Sequence, residues 1–252
     1  MATNAEKRAA VVKKYEEILG RNKYSQAKRS YAFKKYSDGK YYSDCSSSIA
    51  LAYKYAGFPF YDNNGSYNPN TVGMYQAKSL VEVPVEIKNG VIQNPEILRL
   101  GDMLLFAGTD TSRKYAGYVG HVEMVGKIKG DVITLYGHGS GTPRATEMIA
   151  YCKNRYKQKT STKLGHKGLI KVVRFFEDEA APAENASSGK KVVITGGSVN
   201  IRTGPGTEYT IIHTAHKGDK FDIPNTEGWN PVKFGGHVYW ASDNYSDVEG
   251  QD

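Results

Sequence analysis

The chain has 252 residues, of which 39% are hydrophobic and 24% charged; that supplies a packed core and excludes global disorder. A net charge of +8 favours polyanionic partners: nucleic acid, an anionic membrane face or the polymers of a bacterial wall. Two cysteines, Cys45 and Cys152, exclude a disulfide framework and read as free thiols, and no CxxC or HExxH spacing signals zinc.

The opening stretch, MATNAEKRAAVVKKYEEILG, lacks the apolar core of a secretory signal peptide, and no later run reaches the length of a membrane span. The expectation is a product made in the cytoplasm without stable membrane insertion. Ala9, Ala10, Val12, Tyr15, Ile18 and Leu19 roughly follow a helical period, which Gly20 can close. A second helix begins in YYSDCSSSIALAYKYAG, with Ser43 or Asp44 as N-cap and Ile49, Ala52, Tyr53 and Ala56 as its apolar stripe. Gly57 and Pro59 end it.

Strand signals follow. GDMLLFAG (101–108) is a short apolar run between glycines. YVGHVEMVGKI (118–128) alternates, with Val122, Met124 and Ile128 on one face and His121 and Glu123 on the other. A turn at Lys129–Gly130 leads into DVITLYGHG (131–139), where Val132, Thr134, Tyr136 and His138 share a side. LIKVVRFF (169–176) is a further strand. Helices first and strands afterwards is an α+β order. Residues 177–190 (acidic, Ala, Pro and Ser in succession, with no apolar period) read as a flexible linker between a first domain, 1–176, and a second, 191–252. The second is short strands punctuated by Gly, Pro and Asn, the pattern of a small all-β barrel.

Cys45 falls in the first turn of its helix, among unpaired N–H groups and at the positive end of the helix dipole. That placement favours a thiolate and can hold an oxyanion. A nucleophilic thiol needs a base. Of six histidines, His213, His216 and His237 belong to the second domain and His166 to a loop. His121, next to Gly120 where a substrate can approach the backbone, and His138, in YGHGSG, lie on adjacent strands. One can act as base and the other can hold its tautomer.

These residues resemble the NlpC/P60 cysteine peptidases, which cleave bacterial peptidoglycan. YYSDCSSSIALAYKYAG is similar to that family's DCS helix, LRLGDMLLFAG to its "pGDlvfF" strand and GHVEMV to its "GHVgiy" strand. YGHGSG falls where the family carries a third polar residue. The resemblance covers roughly residues 5–175 and implies a papain-like domain, N-terminal helices packed on an antiparallel sheet. It implies Cys45 as nucleophile, His121 as base and His138 as orienting residue. It places Asp44 beside the cleft, where contact with a substrate amine and simple N-capping are equally open roles, with Ser46 next to it. Tyr41 or Tyr42 would line the oxyanion site. The chain departs from the family at Ser47, usually glycine, and in a long insert between Phe58 and Pro95.

Residues 191–247 resemble a bacterial SH3 domain: VNIRTGPGTEYTIIHTAHKGDKFDI is similar to "LNVRsGPst.y.vi..l.kGd.v.v" and WNPVKFGGHVYWASDNY to "W.kV.y.Gk.GWv...Y". Such domains commonly bind wall peptide. Trp229, Tyr239, Trp240 and Tyr245 could form a stacking groove, with Trp240 also suited to a barrel core. Together the resemblances imply a bacteriophage endolysin, released through a holin-type pore, that acts on peptidoglycan without cofactor or metal. The expected cut is the γ-D-glutamyl–diamino-acid bond of the stem peptide. The alternatives are the N-acetylmuramoyl–L-alanine amide, a cross-bridge, a non-enzymatic wall-binding protein and, remotely, a zinc amidase using histidines and Cys152. No nucleic-acid-binding pattern accompanies the basic charge.

Overall fold

The computed structural model describes residues 2–177, 191–202, 207, 211–222, 229–234, 237–242 and 246–249. The fold is α+β and divides into two compact units, Met1–Glu179 and Ala180–Asp252. The boundary falls within the stretch read as a linker, of which residues 178–190 lie outside the described residues.

The first unit opens with α1 (Asn4–Glu16), started by a capping box between Thr3 and Glu6. Its buried stripe is Arg8, Val11, Val12 and Tyr15. Ala9 and Ala10, expected inside, face solvent; the larger side chains three and four residues apart take the core instead. After β1 (Lys23–Tyr24) and β2 (Tyr42–Ser43), α2 (Cys45–Tyr55) starts at Asp44. Of its expected stripe, Ile49, Ala52 and Tyr53 are buried and Ala56 is half-buried; Ala50 and Leu51 are buried too, so α2 is covered on every side over its first turns.

The insert after Phe58 forms α3 (Thr71–Gln76), β3 (Val81–Val83) and a hairpin of β4 (Ile87–Lys88) with β5 (Val91–Ile92). Then come β6 (Met103–Ala107), β7 (Val119–Lys129), β8 (Val132–Gly137), β9 (Arg144–Glu147), α4 (Met148–Lys157) and β10 (Leu169–Arg174). Six strands make one antiparallel sheet in the order β3-β10-β6-β7-β8-β9. One hydrophobic cluster joins Val11, Tyr15, Ile49 and Tyr53 to Leu105, Val122 and Met124. A second joins Leu104, Phe106, Val125 and Leu135 to Met148 and Cys152 of α4. Asp102 and Arg174 pin β6 to β10 through a two-pronged ion pair, both contacts at 2.7 Å. Burial raises the Asp102 pKa against the opposing pull of Arg174.

Two β-bulges shape β7. Between Val125 and Lys127 the register slips, leaving Gly126 unpaired. Ile128, expected on the face of Val122 and Met124, instead pairs with Ile133 of the other cluster and is 40% exposed. The second slip pairs Phe106 with His121 but Ala107 with Val119, so that Gly120 bulges just before His121.

In the second unit the strands are β11 (Lys191–Ile194), β12 (Ser198–Arg202), β13 (Ile211–His216), β14 (Lys220–Asp222), β15 (Trp229–Phe234), β16 (His237–Ser242) and β17 (Ser246–Glu249). They form a three-stranded sheet, β14-β11-β17, and a four-stranded sheet, β13-β12-β16-β15. Val192, Ile194, Val199, Ile201, Ala215, Phe221, Val232 and Ala241 make the core.

Candidate active site

Asp44 caps α2: its carboxylate accepts from Ser47 N at 2.7 Å and from Ser46 Oγ at 3.0 Å. Its other oxygen accepts from Arg29 Nε at 2.8 Å. Asp44 is therefore occupied by the protein on both oxygens, the capping role among the two left open. Ser48 N closes the first helical bond onto Asp44 O. The N–H groups of Cys45 and Ser46 are the ones a helix start leaves for another acceptor. Arg29 also donates to Ser46 Oγ and to the carbonyls of Asn68 and Pro69, tying the insert to the start of α2.

The Cys45 side chain lies near enough to His121 to be among the groups that raise the His121 pKa. His121 Nε2 lies 2.8 Å from Glu123 Oε1, which leaves Nδ1 as the ring nitrogen open to another partner. The Glu123 side chain is fully buried and that of His121 is 12% exposed. Burial alone would lower the His121 pKa, but hydrogen bonds to Cys45 and Glu123 and the negative charge of both raise it to about 9. An imidazole beside a thiol, itself hydrogen-bonded to a carboxylate, is an arrangement that can activate a cysteine nucleophile.

Gly120 serves the strands rather than the substrate alone. A Cβ on it would lie 2.6 Å from Gly108 Cα, so this close crossing of β6 and β7 requires glycine. The bulge it makes falls directly before His121, whose ring tilts against Phe106 and Tyr151.

His138 does not orient His121. Both of its ring nitrogens have other partners: Nδ1 lies 3.0 Å from Ser43 Oγ and Nε2 lies 3.2 Å from Gly141 O. The carbonyl requires the proton on Nε2, so Nδ1 accepts from the Ser43 hydroxyl, which in turn accepts from Asn22 Nδ2 at 3.1 Å. Burial lowers the His138 pKa, in keeping with this neutral tautomer. Glu123 occupies the orienting position that the sequence assigned to His138. The available signal was the shared face of residues two apart on an alternating strand.

Of the two upstream tyrosines, Tyr42 donates to Asp38 Oδ2 at 2.6 Å, and the Arg21 guanidinium stacks 4.0 Å over the Tyr41 ring. Neither makes a hydrogen bond to Cys45 among the described residues. Tyr24, which no sequence signal singled out, adjoins Ser43 and His138. Its ring meets His138 edge-on at 5.3 Å, its backbone pairs with Ser43, and the Cys45 charge contributes to its raised pKa after burial and the opposing Gln26 hydrogen bond. Cys152 packs in the second cluster, where burial, with the charges of Glu147 and Glu123, pushes its thiol up to about 12. His166 stacks against Tyr156 in a loop, at 4.5 Å between ring centroids. Trp229, Tyr239 and Trp240 are on β15 and β16, but their side chains, like all of Tyr245, lie outside the described residues.

No family model matches this chain, and no curated protein matches it. Among solved structures, the crystal structure of Ly7917 aligns over 97% of this chain and 98% of that one, at 14% identity and a TM-score of 0.33. The crystal structure of Ly7917 with the hydrolyzing product of MDP aligns over 97% and 99%, at 14% identity and a TM-score of 0.35. Likenesses this distant assign neither a fold family nor an activity.

Proposed function

We propose that the chain is a peptidoglycan hydrolase of NlpC/P60 type, with a papain-like first unit and an SH3-like second unit that binds the wall. The observation that carries this reading is His121, hydrogen-bonded to Glu123 and raised in pKa by its interaction with Cys45 at the start of α2. In the first step the thiolate attacks the amide carbonyl, and the Cys45 and Ser46 N–H groups hold the oxyanion. The imidazolium of His121 then gives its proton to the leaving amine as the C–N bond breaks, and a thioester remains. Neutral His121 takes a proton from water, whose oxygen attacks the thioester, and the acyl product leaves as a carboxylic acid with the thiol restored. Glu123 holds the ring through both steps.

The bond we assign is the γ-D-glutamyl–diamino-acid amide of the stem peptide. The N-acetylmuramoyl–L-alanine amide and a cross-bridge remain its rivals within the same chemistry. Tethering the catalytic unit to a wall-binding unit raises the local concentration of an insoluble substrate. Mass spectrometry of digested walls tests the assignment. New amino groups on the diamino acid and new γ-carboxyls on glutamate are expected, and a free lactyl group on muramic acid would reject it.

A further inference from the structure

Three cavities adjoin one another around the site. One of about 250 Å³ contains Cys45, Asp44 and Ser46. It shares Gly120 with a cavity of about 290 Å³ beside His121, and Arg29 and Asn70 with one of about 450 Å³ walled by the insert. Arg113 is common to all three.

The guanidinium of Arg113 is fixed before any ligand arrives. Nε donates to Asp110 Oδ2 at 3.0 Å, and Nη1 donates to Thr71 Oγ1 at 3.2 Å and Val119 O at 3.0 Å. Nη2 has no hydrogen-bond partner among the described residues. Arg29, the other arginine of the Cys45 cavity, is already spent on Asp44, Ser46 and two carbonyls. Beside His121 the charge stays positive: Arg155 and Lys167 line that cavity, and the buried Nε of Arg155 has no hydrogen-bond partner among the described residues. The three carboxylates that line these cavities are engaged: Asp44 by Arg29, Ser46 and Ser47, Asp110 by Arg113 and Ser112, and Asp62 by the N–H groups of Asn64 and Ser66.

We infer that Arg113 is a specificity residue that binds a free carboxylate on the substrate next to the scissile amide. The inference rests on the hydrolase reading and sharpens it to an anionic peptide. A γ-linked glutamyl residue carries its α-carboxylate on the acyl side of the cut, within reach of a group shared by all three cavities. Its α-amidated counterpart offers no negative charge. A planar guanidinium with one edge already anchored loses little further freedom in binding a carboxylate.

The test compares kcat/KM for two soluble stem peptides that differ only in having an α-carboxylate or an α-carboxamide on the γ-linked glutamyl residue. Wild type is expected to prefer the carboxylate by roughly 10- to 100-fold. Arg113→Gln should compress that ratio toward one, while Arg113→Lys keeps part of it. Asp110→Asn, which keeps the oxygen that caps Ser112 but removes the competing charge, should widen the ratio. Equal turnover of both peptides by wild type, or an undiminished ratio in Arg113→Gln, overturns the inference and leaves the hydrolase reading standing. Failure of wild type to cut either peptide overturns the hydrolase reading, and the inference with it.

Discussion

Glu123 Oε1 sits 2.8 Å from His121 Nε2, two residues along the same strand. That spacing places both side chains on one side of β7, and the bulge at Gly120 falls directly before the pair. The imidazole and the carboxylate that hydrogen-bonds to it therefore come from a single repeat of the pleat.

The first prediction is a pH dependence. His121 is raised to about 9, above its ordinary value near 6.5, so its proton is held through neutral pH and lost as pH rises through about 9. Turnover should fall along that alkaline limb, because the leaving amine loses its proton donor. The same interactions stabilise the fold below the unfolded value and fade as pH rises through the folded one. Glu123→Gln removes one of the effects that raise the pKa, so its limb should move toward acid. A rate profile measured from pH 6 to roughly 10 checks the sign.

The second concerns Gly137, which pairs with Glu123 across β7 and β8. A Cβ at Gly137 would lie 1.7 Å from Glu123 Oε2, so Gly137→Ala must displace the carboxylate. The variant should shift the alkaline limb as Glu123→Gln does and lose about 1–3 kcal/mol of stability through overpacking. Thermal melts and the pH profile read the two effects separately.

The third separates His138 from catalysis. His138→Ala leaves Ser43 and the Gly141 carbonyl without their partner, at a cost of about 1–3 kcal/mol. Its melting temperature should drop while its alkaline limb stays where wild type has it. A limb shifted as far as that of Glu123→Gln would restore His138 as the orienting residue.

Much of this was legible in the residues. Asp44 caps α2 as its side chain dictates, and the runs at 101–108, 118–128 and 131–139 became β6, β7 and β8. What escaped was non-local. Nothing in LIKVVRFF says that β10 enters the sheet between β3 and β6, since strand pairing depends on partners distant in sequence. The α4 segment shows buried Met148, Tyr151 and Cys152 at helical spacing, but among polar residues and over too few turns to stand out. His138 was misassigned because sequence order identifies a polar residue near a site but not where its ring nitrogens bond. The bulge at Gly126 moved Ile128 because one extra residue exchanges the faces of every position after it.

The central claim is that the Cys45 thiolate, served by His121, breaks a wall amide. The most direct measurement is the release of new amino groups from purified walls by wild type and by Cys45→Ala, with circular dichroism confirming that both are folded. The account predicts that the alanine variant loses activity by roughly 10³-fold or more while still folding. Amine release by folded Cys45→Ala at the wild-type rate would contradict it.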